Sequence, residues 1–546
     1  MPPDQVYRGA VWIAAAGMFL LVIVARLRLL AMPLERDEGE YAYAGQLILQ
    51  GVPPFVEVYN MKMPGIYAAY AAILAVFGQT AMGIRLGLLI VNLACAALVF
   101  VLARRVADRE TALLSASTYA LLSTGFGVLG VFAHATHFVV MFALAGLALL
   151  PPPGAPPRPT NLFLAGLALG AAFMMKQHGA PYIALAGAYL LGRTITSTET
   201  GVGKRLTGLT LFSIAVFVPF LVTCLIMRRA GAFEQFWFWT FDYARAYVSQ
   251  APASKLVRNL FRGFREVAWT WGTLLLWLLA AWGLLTVRRH GRNAVWIAGL
   301  FLAGFLGVCP GFFFRSHYFV LVLPAVSILA ALGARRVADR LPLGLPEPWR
   351  ALAPLLILGV GWLQALAVQY AGFFVQDRFT LSRAIYSTNP FPESVEIAAY
   401  IRERTRPEDR IGILGSEPQI CFYAQRRSAT PFVYMYPLME EQPYALRMQN
   451  ELIEDLEANP PAYIAYFPIA HSWFVQKNSE MKITAWIPQY LQKHYDKVGL
   501  VEIDDHEARY YWDDQQAGRQ PRTRYFAVIC KRKDYEPAQP AAHGDA

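Results

Sequence analysis

The chain has 546 residues, of which 56% are hydrophobic and only 16% are charged. Soluble proteins average about 25% charged residues, so this composition excludes both a disordered chain and a soluble single-core enzyme. The net charge of +11 comes from short basic clusters between long apolar runs, which is typical of membrane loops and not of a nucleic-acid-binding face. The sequence therefore predicts a multi-pass membrane protein with membrane lipids, and no nucleic acid, as partners.

Eleven apolar runs predict membrane-spanning helices, which need roughly 20 residues to cross a bilayer. They lie near residues 9–30, 84–103, 110–131, 138–150, 161–176, 180–193, 206–227, 267–287, 293–311, 317–334 and 351–370. Several runs are short, notably 138–150, and would need neighbouring residues to complete a crossing. The run from Pro64 to Phe77 is also apolar, but a crossing there would place Arg104, Arg105 and Arg109 outside the cell. We therefore expect it to lie in the membrane interface. This topology places the N-terminus in the cytoplasm of an inner (plasma) membrane protein and the segment after Ala371 outside.

The composition divides the chain into a polytopic α-helical domain (1–370), an extracytoplasmic α/β domain (371–535) and a disordered tail (536–546). Beyond Ala371, runs such as RIGILG and AYIAYF read as strands and alternate with helical patterns such as ALRMQNELIEDLEAN. This alternation predicts a small, partly parallel sheet. Cys421 and Cys530 could form a disulfide there if the domain faces an oxidising space.

The first outer loop (31–83) concentrates polar residues directly after the first span. Asp37, Glu38 and Glu40 open it, and Lys62 precedes the interfacial helix. Residue type alone favours a solvated loop, with Asp37 capping the following helix and Lys62 anchoring the chain at the headgroups.

Further ionisable residues fall at the same outer face by the predicted topology. They include Arg85, His134, His137, Lys176, His178, Arg315 and His317. Ionisable groups at membrane depth are costly and mark functional sites by default. Several cations with a few carboxylates suit an anionic lipid headgroup together with a general base.

The successive motifs Arg36-Asp37-Glu38-Gly39-Glu40-Tyr41-Ala42, Lys62-Met63-Pro64-Gly65 and Arg85-Leu86 resemble those of glycosyltransferase family 39. That family includes the dolichyl-phosphate-mannose protein mannosyltransferases and the bacterial aminoarabinose–lipid A transferases. It belongs to the GT-C class of membrane enzymes that use polyprenyl-phosphate sugars. The resemblance covers roughly residues 9–335. It implies a GT-C fold, a polyprenyl-phosphate sugar donor and an envelope glycan, lipid or protein as acceptor.

The resemblance also assigns roles to residues. Asp37 matches the catalytic carboxylate and Glu38 its neighbour, and we expect Asp37 to act as an inverting general base whose pKa is raised by partial desolvation. The expected ligands of the donor phosphate are Lys62, Arg85, Lys176, Arg315, His317 and Tyr318. The expected acceptor-binding or supporting residues are Glu40, His137 and His178.

Two positions depart from the family pattern. Some bacterial members place a metal-binding glutamate before the lysine, whereas this chain has Met61. An acid often found between the third and fourth spans is also replaced, and the nearest candidates here are Thr136 and His137. We therefore expect no metal and no other cofactor.

Two other function classes remain open at this stage. The first is a lipid or solute transporter or flippase, and the second is a non-catalytic scaffold whose outer domain binds a partner. Transporters usually carry their polar residues near the middle of the membrane, often in paired half-helices. The clustering of ionisable residues at one interface favours the enzyme.

Overall fold

The computed structural model describes residues 3–152, 154–196, 201–250, 253–290, 293–341 and 346–536. The predicted tail lies outside the described residues from position 537 onward. The α-helices of the described chain are α1 (Pro3–Arg28), α2 (Arg36–Leu49), α3 (Pro64–Phe77), α4 (Ala81–Ala103), α5 (Arg109–Leu122), α6 (Ala135–Leu149), α7 (Pro159–Met175), α8 (Ala180–Thr196), α9 (Val202–Arg229), α10 (Phe233–Trp237), α11 (Ala244–Val248), α12 (Leu256–Phe264), α13 (Leu274–Leu285), α14 (Asn293–Val308), α15 (Leu323–Ala338), α16 (Glu347–Tyr370), α17 (Arg378–Tyr386), α18 (Glu393–Glu403), α19 (Gln419–Ala424), α20 (Tyr436–Met439), α21 (Ala445–Ala458), α22 (Ala470–Trp473) and α23 (Lys482–His494). The strands are β1 (Arg410–Leu414), β2 (Arg427–Ser428), β3 (Tyr463–Tyr466), β4 (Tyr495–Ile503), β5 (Ala508–Trp512) and β6 (Tyr525–Arg532).

A helix lies at each of the eleven positions where a span was predicted, and α3 coincides with the predicted interfacial helix. By length and composition, α1, α4, α9 and α16 are long and apolar enough to cross a membrane alone. The segment Leu256–Thr270 and helix α13 form a further candidate span that bends by 116°. Helices α6, α7 and α14 are apolar but shorter.

Helix α5 ends well before the predicted span 110–131 does. It stops at Leu122, and the chain then turns irregularly toward α6. Carbonyl groups freed in this way need partners where water is scarce. The guanidinium of Arg26 supplies them, because it donates to the carbonyl oxygens of Ser123 at 3.0 Å and Gly130 at 3.1 Å.

The C-terminal segment forms the predicted partly parallel sheet. Its strand order is β2-β1-β3-β6-β4-β5, with β1 parallel to β2 and β3 and the remaining pairs antiparallel. The predicted strands at RIGILG and AYIAYF are confirmed as β1 and β3. The suggested disulfide is not formed, because Cys421 in α19 and Cys530 in β6 are both free and buried.

The sheet-containing segment packs directly on the first outer loop. A Cβ atom on Gly39 of α2 would lie 2.7 Å from the backbone nitrogen of Gln419 in α19, so only glycine allows this close approach. The ring of Phe432 also packs edge-on against Tyr59 of this loop at 5.3 Å, and against Trp239 at 6.1 Å. The polar residues of the first outer loop are therefore covered by the C-terminal segment.

Candidate active site

A cavity of about 430 Å³, called here the polar cavity, lies between the helical part and the C-terminal segment. Its lining includes Asp37, Lys62, His134, Arg315, His317 and Tyr318 from the helical part and Tyr386, Asn389, Tyr434, Tyr436, Glu440, His471 and Phe474 from the C-terminal segment. A second cavity of about 490 Å³ includes Lys62, Lys176, Gln177, His178, Thr240, Tyr247 and Tyr318 in its lining. Lys62 and Tyr318 thus border both cavities.

The start of α2 directs Asp37 into the polar cavity. Glu35 caps the helix: its carboxylate accepts from the backbone N–H of Glu38 at 2.9 Å, and the Glu38 carboxylate accepts from the N–H of Glu35 at 3.3 Å. The interpretation of Asp37 as the cap is therefore wrong. Because Glu35 satisfies the helix end, the carboxylate of Asp37 is left for other partners.

Glu38 and Arg85 do not line the polar cavity but bind each other. They form an ion pair in which both side chains are buried. Glu38 also accepts from the backbone N–H of Ala133 at 2.5 Å, and the Arg85 guanidinium lies 5.0 Å from the ring centre of Phe132. The pair joins α2 to α4 and to the connection before α6, and the expected roles of Glu38 in catalysis and of Arg85 at the donor phosphate stay predictions.

Asp37 pairs with Lys62 at the border of the two cavities. The Nζ of Lys62 lies 3.5 Å from Oδ1 of Asp37, whose side chain is almost buried. Burial raises the pKa of Asp37, but the neighbouring basic groups, Lys62 foremost, outweigh it and hold the pKa at about 2. The raised pKa expected from sequence is therefore wrong for the ligand-free protein, because desolvation is only one of two opposing effects. Asp37 is ionised at neutral pH.

Two further basic residues near this pair have no carboxylate within ion-pair distance among the described residues. Lys176 is only 6% exposed, and its Nζ lies 4.2 Å from the ring centre of Tyr318. Arg315 follows a loop in which Phe312 and Phe314 both have positive φ values, of 52° and 47°. Such backbone strain costs about 1–3 kcal/mol per residue and persists where the surrounding structure enforces it. This loop leads to Arg315, which lines the polar cavity.

His134 lines the polar cavity, whereas the sequence led us to expect His137 among the supporting residues. Helix α6 begins at Ala135, so His134 stands just before the helix, whereas His137 lies in its first turn and is fully buried. The ring of His134 stacks on that of His317 with centroids 4.2 Å apart. Neither of its ring nitrogens has a hydrogen-bond partner among the described residues. Burial lowers the pKa of His134 to about 3, and the Asp37 carboxylate offsets only part of this effect, so the ring is neutral.

Asp37, His134 and His317 also form a group of potential metal ligands. One ligand atom from each lies within 4.8 Å of the others. Imidazole and carboxylate are suitable donors for a divalent metal ion. The ammonium group of Lys62, however, shares the Asp37 carboxylate and would repel a cation at this point. The expectation of no metal stays a prediction.

Two of the remaining predicted residues have structural partners outside the polar cavity. His178 contacts the carbonyl oxygen of Gly307 through Nδ1 at 2.6 Å and lines the second cavity. Glu40 is fully buried, and its carboxyl group is bound by the hydroxyl of Tyr67 at 2.5 Å and the side-chain amide of Asn60 at 2.6 Å. Glu40 thus positions the chain just before Lys62.

Arg36 is a residue that sequence reasoning did not select as functional. Its guanidinium donates to the carbonyl oxygen of Ser416 at 2.5 Å, the hydroxyl of Tyr436 at 2.8 Å and the carboxylate of Glu417 at 3.1 Å. Arg36 precedes Asp37, so these bonds tie the start of α2 to the C-terminal segment. In the sequence, the only sign of a role for Arg36 was its place beside the acidic residues. Its partners could not be predicted, because they lie about 380 residues or more further along the chain.

Glu40 gives the fold a pH dependence that can be measured. Burial raises the pKa of Glu40 to about 8, against an opposing effect of Lys62. The folded chain keeps this proton up to about pH 8, while the unfolded chain releases it near pH 4.5, so stability falls as pH rises between these values. We expect Glu40→Gln, which is neutral throughout, to melt with a weaker pH dependence between pH 5 and 8. Each pKa unit corresponds to about 1.4 kcal/mol, so the difference is expected to reach several kcal/mol.

Thermal unfolding in detergent at a series of pH values would test this expectation. Glu234→Gln changes an exposed glutamate and is the matched control, for which the pH dependence of the wild type is expected. Parallel curves for Glu40→Gln and the wild type would contradict a protonated Glu40.

Comparison with solved structures identifies the fold. The crystal structure of ArnT from Cupriavidus metallidurans bound to undecaprenyl phosphate matches with a TM-score of 0.56 and 19% identity, covering 95% of this chain and 97% of that chain. The apo structure of the same protein matches with a TM-score of 0.56 and 17% identity, covering 96% and 98%. The archaeal oligosaccharyltransferase AglB from Archaeoglobus fulgidus, in complex with an inhibitory peptide and a dolichol-phosphate, has a TM-score of 0.48 at 13% identity over 96% of this chain and 76% of that chain.

Sequence comparison adds one match. Residues 61–222 match the family model described as dolichyl-phosphate-mannose-protein mannosyltransferase. No curated protein sequence matches the chain. The protein is therefore a membrane protein with the fold of the GT-C glycosyltransferases. The resemblance predicted from its motifs is confirmed for the fold and for the matched segment, which contains Lys62 and Lys176 but not Asp37.

Proposed function

We propose that the protein transfers a sugar from a polyprenyl-phosphate donor to an acceptor of the cell envelope, with inversion at the anomeric carbon. The observation that carries this proposal is the position of Lys62. It lies beside Asp37 and borders both the polar cavity and the second cavity. A phosphate placed there would join a lipid tail on one side to a sugar on the other, within reach of a carboxylate base.

The charges around Lys62 support an anionic ligand. Lys176 is buried and Arg315 is exposed at the polar cavity, and neither has a carboxylate partner among the described residues. The donor phosphate carries one negative charge and gains a second as the sugar leaves. Cations fixed around it therefore stabilise the transition state more than the ground state. Tyr318 and His317 border the same space and complete the proposed phosphate site.

Asp37 is the proposed general base. The acceptor hydroxyl attacks the anomeric carbon from the face opposite the phosphate, a new carbon–oxygen bond forms, and the bond to the phosphate oxygen breaks. The hydroxyl proton passes to Asp37, and the electron pair of the broken bond leaves with the phosphate. Lys62 holds the pKa of Asp37 low before binding, and a phosphate that shares the charge of Lys62 would raise it toward the value a base needs.

The proposed orientation follows from the basic loops, which place the N-terminus in the cytoplasm and both cavities at the outer face of the plasma membrane. Donor and acceptor would then meet outside the cytoplasm, where the C-terminal segment covers the polar cavity. The acceptor is an envelope glycan, lipid or protein.

Mass spectrometry of polyprenyl-phosphate sugars would test this function. Host membranes expressing the wild type are compared with host membranes expressing Asp37→Asn. One lipid-linked sugar is expected to accumulate in the membranes that contain the variant. The accumulating species would identify the donor. Identical pools, with no polyprenyl phosphate co-purifying with either protein, would contradict the transferase and favour transport.

We also expect sugar transfer to be independent of divalent metal. Lys62, Lys176 and Arg315 supply the positive charge that a metal ion provides in other phosphate sites, and Lys62 competes for the carboxylate of Asp37. Purified protein treated with EDTA should keep its transfer rate within about twofold, and elemental analysis should find less than one metal ion per chain. A loss of activity that zinc or manganese restores would instead assign Asp37, His134 and His317 as metal ligands.

A further inference from the structure

An aromatic pair from the C-terminal segment lines the polar cavity and has no part in the proposed chemistry. The rings of Tyr436 and Phe474 stack with centroids 5.0 Å apart and an angle of 25° between their planes. Phe474 is 40% exposed although it lines a cavity, and its backbone has a φ of 59°. Positive φ is strained for a phenylalanine, and strain of this kind clusters at ligand sites.

Hydrogen bonds fix the orientation of this pair. The hydroxyl of Tyr436 donates to the carbonyl oxygen of His471 at 2.6 Å and accepts from Arg36 at 2.8 Å. Arg36 is in turn held by Glu417, a buried carboxylate. Because Arg36 directly precedes Asp37, the network that orients the ring also positions the start of the helix that carries the proposed base.

Polar side chains border the same cavity beside the rings. Glu440 accepts from the hydroxyl of Tyr243 and from the side-chain amide of Gln250, and it lines the polar cavity. Asn389 lines it as well, with its amide group bound to the carbonyl oxygen of Tyr386 at 2.6 Å. A flat aromatic surface next to fixed carboxylate and amide groups can bind a ring that has apolar C–H faces and hydroxyl edges.

We infer that Tyr436 and Phe474 form an acceptor subsite for a carbohydrate, so that the envelope acceptor is a glycan. This inference rests on the proposed function and specifies its acceptor. A sugar ring stacks its C–H face on Phe474 and donates hydroxyl protons to Glu440, which leaves another hydroxyl facing Asp37. Extended peptides, in contrast, commonly bind along a free strand edge, and none of the described residues lining the polar cavity belongs to a strand.

Saturation-transfer-difference NMR on the full chain in lipid nanodiscs would test this inference. The probes are methyl α-glycosides of mannose, glucose, galactose and arabinose, and a Ser/Thr-containing octapeptide. We expect ring-proton signals from at least one glycoside with the wild type and at least a fivefold loss with Phe474→Ala. Phe474→Tyr keeps the ring and should keep the signal.

Two controls separate this inference from the proposed function. Trp486→Ala disrupts another stacked pair, with Tyr490, that lies outside the polar cavity, and it should leave glycoside binding unchanged. Binding of undecaprenyl phosphate, measured on the same samples, should be equal in all variants and also reports that they are folded. Equal glycoside signals in wild type and Phe474→Ala, or signals from the peptide alone, would overturn the carbohydrate subsite while leaving the donor site intact. A wild type that binds no undecaprenyl phosphate would overturn both proposals.

Discussion

Replacing Asp37 with asparagine is expected to lower the rate of sugar transfer by roughly 10²–10⁴-fold, the usual contribution of a general base. Asparagine has nearly the same shape but cannot accept the proton of the acceptor hydroxyl. Because Asp37 lies beside Lys62 and not within the second cavity, the variant should still bind undecaprenyl phosphate. Transfer of labelled sugar from the donor found by mass spectrometry, together with undecaprenyl phosphate binding, would separate the two effects.

The pH dependence sharpens this prediction. The pKa of Asp37 is held at about 2 in the ligand-free protein, so its carboxylate is ionised at every pH above that value. Protonation of Asp37 should therefore not lower kcat/KM between pH 5 and 8, since this parameter reports the free enzyme. Asp242→Asn changes an exposed aspartate and is the matched control, with wild-type rates expected. Full transfer by Asp37→Asn would exclude Asp37 as the base.

Lys62→Met is expected to lower kcat/KM by roughly 10²–10³-fold, because it removes a preorganised charge from the leaving phosphate. It should also weaken undecaprenyl phosphate binding, since Lys62 borders the cavity proposed for the lipid. Burial opposes the charge of Lys62, but the Asp37 carboxylate beside it more than offsets this effect and raises the pKa of Lys62, so Lys62 is cationic across the physiological range. Removing Lys62 should therefore also raise the pKa of Asp37. The pH below which kcat/KM falls, as Asp37 becomes protonated, should then shift toward neutral.

Lys62→Arg keeps the charge and should recover part of the activity, although a guanidinium differs in shape from an ammonium group. Lys477→Met removes an exposed lysine of the C-terminal segment and should have no effect. If Lys62→Met bound undecaprenyl phosphate like the wild type and transferred sugar at an unchanged rate, the phosphate would have to lie elsewhere, and Lys176 and Arg315 would be the next candidates.

Local pattern alone was enough to predict much of the fold. A helix lies at each of the eleven apolar runs that were predicted to span the membrane. A membrane-spanning helix satisfies its own backbone hydrogen bonds, so each one can be predicted from its own stretch of sequence. Alternating patterns located β1 and β3, since side-chain direction in a strand depends on adjacent positions. The family resemblance also assigned Asp37 and Lys62 to one site, and they do form a pair.

The roles of single side chains could not be predicted in the same way. Glu38 and Arg85 looked like active-site residues by type, yet they bind each other away from the polar cavity. His134 and His137 are three residues apart, about one helical turn. Because α6 begins at Ala135, His134 lies before the helix and near Asp37, whereas His137 lies within the first turn. The expected rise in the pKa of Asp37 likewise failed, because Lys62, which lies in a separate segment, pairs with its carboxylate.

The sequence by itself determined a membrane protein with a polar outer loop, a GT-C resemblance and a C-terminal sheet. Only the tertiary structure decided that this sheet-containing segment covers the polar cavity and contributes Tyr436 and Phe474 to it. Arg36 meets Ser416 and Glu417 across some 380 residues of chain. Contacts at such separation leave no local periodicity, because they depend on how two independently patterned parts pack, and packing is set by shape and charge in three dimensions.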